Sequence, residues 1–121
     1  MDTTESMEET LKFSMENISP MANFYCAMAY PGSPLHLQAK RKGWELPKTY
    51  SGYSQHSYDT LNLSNDNLTS EQILKFRDEA WTRYHTNPEY LSLLESKFGL
   101  KARKNVEDTA KIKLKRKILG D

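Results

Sequence analysis

The chain has 121 residues, 37% of them hydrophobic and 27% charged, with a formal net charge of +1 and a mean hydropathy of -0.78. That length holds one domain with a thin core, and the near-neutral balance excludes a chain-wide field that would draw it to nucleic acid or to a membrane surface. One cysteine excludes an intrachain disulfide framework, and the lack of a signal peptide or long apolar span points to a reducing, cytoplasmic setting.

In chain order, residues 3–17 place Met7, Leu11 and Met15 at helical spacing, with Thr3, Thr4 or Ser6 available as caps. Residues 1–17 carry five carboxylates against Lys12, which reads as a solvated acidic helix face. Ser19-Pro20 ends that helix. The run Ala22 to Tyr30 is apolar and aromatic without polar alternation, the pattern of one buried strand covered on both faces. Ser33 and Pro34 then open a short helix that Gly43 closes. The order helix, strand, helix is a slice of an α/β repeat whose neighbouring strands are missing.

From Trp44 to Thr69 no helical period is visible, and Pro47, Gly52 and three tyrosines collect there. An irregular stretch of that length is functional or disordered in most proteins, and its aromatic content favours function. Within it Gln55, His56, Ser57 and Asp59 form a polar cluster, readable as a His-Asp acid/base pair, as a substrate-facing loop, or as a solvated crossing loop with packed tyrosines.

Thr69 and Gln72 form a capping box for a helix to about His85, with Ile73, Phe76, Ala80 and Tyr84 on one stripe. Asn87-Pro88 opens the next helix, ended by Gly99, and the short join predicts a helical hairpin. Lys101 to Leu119 carries Val106, Ala110, Leu114 and Ile118 every fourth residue among eight basic side chains, which predicts a basic amphipathic helix docked on that hairpin. It lacks the interleaved aromatics of a nucleic-acid platform.

Taken together, DTTESMEET, ANFYCAMAYPGSPL, YSQHSYDTLNLS, LKFRDEAWTRYHTNPEYLSLLESKFG and KLKRKILGD resemble, in order and spacing, the C-terminal end of cobalamin-dependent radical S-adenosylmethionine proteins. The resemblance covers nearly the whole chain. It implies a mainly α fold with a single buried strand: residues 1–43 as a partial α/β-barrel remnant, 44–68 as an aromatic-rich crossing loop and 69–121 as a C-terminal helical cap. It places Ala27, Met28 and Tyr30 beside the adenosine of S-adenosylmethionine, and Tyr53, Gln55, His56 and Tyr58 on the substrate-facing loop. The family holds its iron-sulfur cluster with a three-cysteine motif, whereas this chain has Cys26 alone and shows no cobalamin-binding motif. The expectation is therefore a C-terminal fragment with no catalytic or metal-binding residues of its own. Cluster, S-adenosylmethionine and cobalamin would be held by an N-terminal part acting as partner. The alternative is a small helical protein-interaction module with a basic C-terminal helix. A three-cysteine motif in the coding sequence upstream of Met1 would distinguish the two.

Overall fold

The structure, a computed structural model, describes residues 1–121 and is built from five helices with no residue in a β-strand. They are α1 (Thr4–Glu16), α2 (Pro34–Lys42), α3 (Ser70–His85), α4 (Pro88–Phe98) and α5 (Leu100–Ala110), with short 3-10 turns at Tyr50–Tyr53 and Lys117–Leu119. No helix is long and apolar enough to cross a membrane.

Helix starts follow local chemistry. Thr3 Oγ1 accepts from Ser6 N at 3.1 Å while Ser6 Oγ accepts from Thr3 N at 2.9 Å, so two of the amides left free at the start of α1 are satisfied reciprocally. Thr69 and Gln72 do the same for α3, at 3.2 and 2.9 Å. Ser33 caps α2 ahead of Pro34, and Asn87 caps α4 ahead of Pro88. Gly43, at φ +70°, ends α2 in the left-handed conformation that a side chain would oppose.

The main core joins Leu11 of α1, Ala80 and Tyr84 of α3, and Tyr90, Leu91 and Leu94 of α4, with Ala102 and Val106 of α5 packed on its edge. The expected hairpin of α3 and α4 is thus present, and α5 lies against it. Two tyrosine hydroxyls reach from this core to the turn after α1. Tyr84 Oη accepts from Ser19 N at 2.8 Å and donates to Ser19 O at 2.7 Å, and Tyr90 Oη donates to Pro20 O at 2.9 Å. A second small cluster joins Ala29, Ala39 and Leu63.

The single buried strand and the barrel remnant are corrected by the structure. Residues 22–30 are extended, but they join no sheet. Their burial alternates up to Met28, with Cys26 and Met28 inward and Asn23, Tyr25 and Ala27 exposed, so one face is covered there; Ala29 is then buried as well. The backbone partners that neighbouring strands would supply come mostly from side chains. Arg77 Nε donates to Phe24 O at 2.7 Å, and the Gln55 amide brackets Cys26, accepting from its N at 3.1 Å and donating to its O at 2.9 Å. Leu63 N adds one backbone bond to Ala27 O at 2.9 Å. An apolar run demands burial but not a ladder, and side chains meet that demand here.

The basic helix expected to Leu119 is also shorter. It ends at Ala110, and residues 112–116 are extended. Continued helix would stack Lys111 on Lys115 and Lys113 on Lys117 at i, i+4, where like charges repel. The extended path instead carries Arg116 into the interior.

Candidate functional site

The aromatic loop, the extended segment and α3 converge on one polar node. Arg116 grips Asp78 of α3 with two parallel bonds, Nε to Oδ2 at 3.0 Å and Nη2 to Oδ1 at 2.9 Å. Its Nη1 donates to Gln55 O at 2.9 Å and Ser57 O at 3.2 Å, tying the loop to the same point. Arg77 Nη1 adds a third bond to Asp78 Oδ1 at 2.9 Å. Arg116 is 0% exposed and Arg77 6%. Buried guanidiniums persist only where carboxylate and carbonyl oxygens satisfy them.

The node sets the protonation of its neighbours. Burial pushes the Asp78 carboxyl up, and the hydrogen bonds and charges of Arg116 and Arg77 more than offset this, holding it below the usual carboxylate value. His56 is lowered first by desolvation and then by the positive charge of Arg77 and Arg116, so its neutral form is favoured. Burial pushes the Cys26 thiol up to about 11.

Of the residues named from the resemblance, Gln55 joins the node through its carbonyl. Gln55 holds Cys26, beside Ala27, whose carbonyl takes the Leu63 bond. The Tyr30 and Tyr53 rings lie 6.0 Å apart, tilted by 34°. Met28 is buried. His56 and Tyr58 engage the C-terminal segment instead: Tyr58 Oη donates to Asp121 O at 2.8 Å, and His56 lines a groove between α3 and residues 109–121. The polar cluster does not assemble a His-Asp pair, because the Asp59 carboxylate accepts from the hydroxyls of Ser51 and Thr49. No group of three or more His, Cys, Asp and Glu side chains stands together as a metal site.

Sequence reasoning did not single out Asp78 or Arg116, and it favoured a place along the helix surface for Arg77, which is buried instead. Arg77 had a signal, since it falls on the α3 stripe between Ile73 and Ala80, where a buried residue is required. Arg116 had none. A run of alternating lysines gives no reason for one cation to be buried.

The arrangement is a clamp. It fixes the loop and the extended segment against α3 and leaves their outer faces free. No protein-family model, curated protein or solved structure matches this chain.

Proposed function

We propose that the chain is a helical cap that docks on a cobalamin-dependent radical S-adenosylmethionine enzyme, in the same polypeptide or a separate one, and performs no catalysis by itself. The resemblance of the whole chain to the C-terminal end of such proteins supports this reading. One structural observation carries it. The segment Met21–Tyr30 is clamped on its inner side, yet its outer row is open, with Met21 84% and Tyr25 63% exposed. The backbone N–H and C=O groups of Asn23 and Tyr25 make no hydrogen bond within the chain. Beside this open edge runs an apolar groove of about 470 Å3, bordered by Met7, Leu11, Leu35, Trp44, Ile73 and Phe76. A rigid extended edge beside an apolar groove offers the main-chain bonds and side-chain pockets that proteins use to recognise an extended partner.

The test is anaerobic affinity capture of the tagged chain from the cells that make it, with Tyr25→Lys in parallel. The expected result is a catalytic body bearing a three-cysteine cluster motif, its recovery reduced by about tenfold or more in the variant, as for an aromatic anchor. A partner lacking that motif, or capture indifferent to Tyr25, overturns the reading.

A further inference from the structure

The groove between α3 and the C-terminal segment differs in character from the apolar one. Its volume is about 620 Å3, within the range of small-molecule sites. Trp81, Ile112, Leu114 and Leu119 supply apolar surface, and Ile112 is left 71% exposed. Arg77 and Asp78 of the polar node line it as well, together with Lys111 and Lys113, whose side chains are largely exposed.

The charges here do not balance. Arg77 and Arg116, both buried, share the single carboxylate of Asp78, and Arg77 Nη2 donates to no group in the chain. Of the other carboxylates nearby, Asp121 is engaged by Lys113 Nζ and by Arg116 N, each at 3.0 Å, and Glu79 lies 3.9 Å from Lys75 Nζ. Lys75, Arg77, Lys111 and Lys113 line the groove against Asp78, Glu79 and Asp121; with Arg116 behind the wall and Asp108, paired to Lys111 at 3.7 Å, five cations face four carboxylates. A positive excess held partly out of water favours an anion more strongly than the same charge on an open surface would.

We infer that this groove binds a small amphipathic anion, a single carboxylate-like head on a short apolar tail. The head meets the positive field of Arg77, Lys111 and Lys113, and the tail covers Ile112, Leu114 and the Trp81 ring. The excess charge argues for the anion, and the uncovered apolar side argues for the tail. The inference does not rest on docking at Met21–Tyr30, although Arg77 borders both grooves.

The experiment is calorimetric titration of the intact chain with sodium octanoate, octanol and sodium sulfate, each kept below any aggregation threshold. Trp81 fluorescence in Trp44→Phe reports whether binding occurs in the groove, since the chain has two tryptophans. The expected result is one saturable octanoate site per chain that perturbs Trp81, with octanol weaker by about tenfold or more. The double variant Lys111→Glu, Lys113→Glu, at positions whose side chains are largely exposed, is expected to weaken octanoate by about tenfold, with circular dichroism checking that it is folded. Should Trp44→Phe fail to fold, competition by octanoate against a fluorescent fatty acid on the natural chain gives the same reading. The inference is overturned by the absence of saturation, by equal affinity for octanol or sulfate, or by indifference to charge reversal. Capture of phosphatidylglycerol vesicles without binding of free octanoate would also overturn it, because a lipid surface would then be the ligand.

Discussion

Arg116 lies in a run of exposed lysines, yet its guanidinium is fully buried and makes four bonds to oxygens of α3 and the loop. Truncation would leave the carbonyls of Gln55 and Ser57 without this donor and Asp78 with Arg77 as its one remaining guanidinium. Arg116→Met is therefore expected to cost about 3–5 kcal/mol by urea unfolding, the cost of breaking a buried pair from one side. Arg116→Lys should recover little of it, since an ammonium cannot make the parallel pair. A loss below about 1 kcal/mol would show that the clamp is not a stabilising feature. Cys26 offers a second check at this scale. It is 6% exposed with its thiol raised to about 11, so at pH 8 it is expected to react with iodoacetamide far more slowly in the native chain than in urea. Equal rates would mean that the extended segment opens readily.

Among the elements, α3 does most to organise the others. It gives Ala80 and Tyr84 to the core, Arg77 to the extended segment and Asp78 to Arg116. Its capping box is expected to be worth about 1 kcal/mol, so Thr69→Ala should lower the unfolding free energy by that amount with an unchanged urea slope. The turn Tyr50–Tyr53 depends on Gly52 for another reason. A methyl group there would stand 2.6 Å from Pro47 Cβ, and Gly52 O accepts from Leu61 N at 2.8 Å. Gly52→Ala must shift the loop, and a destabilisation of about 1–3 kcal/mol is expected, as for other overpacked sites. Urea unfolding followed by circular dichroism measures both. The extended segment shows how two architectures can share one local pattern, since an apolar run calls for cover whether strands or side chains supply it.

For the whole molecule, pH should act in one direction across two windows. Burial holds the His85 imidazole below its ordinary 6.5, despite its bond to Trp81 O at 2.7 Å. The unfolded chain therefore takes up that proton first, and the stability it confers when neutral is full above 6.5 and lost as pH falls through that value. Asp78 is depressed below its ordinary 3.8, so its contribution is full above 3.8 and is lost as pH falls below it. Urea midpoints measured from pH 8 to 3 are expected to decline in both windows, and His85→Phe should shrink the upper one to the part that His56, also lowered, contributes. A midpoint that rises between pH 7 and 5 would contradict the buried neutral imidazole.

The local chemistry of the chain was sufficient for the starts of α2, α3 and α4. Thr69 with Gln72, Ser33 with Pro34, and Asn87 with Pro88 act through atoms three residues apart or fewer, so the sequence determined them. The stripe of α3 and the hairpin with α4 were legible for the same reason. What the extended runs do was decided by tertiary structure. Whether Ala22–Tyr30 finds strands or side chains, and whether Lys111–Lys117 coils or straightens, depends on partners far away in sequence: Gln55, Leu63 and Arg77 for the first, Asp78 for the second. A buried cation needs a carboxylate at an exact distance, and only the folded chain brings Arg116 and Asp78 to 2.9 Å.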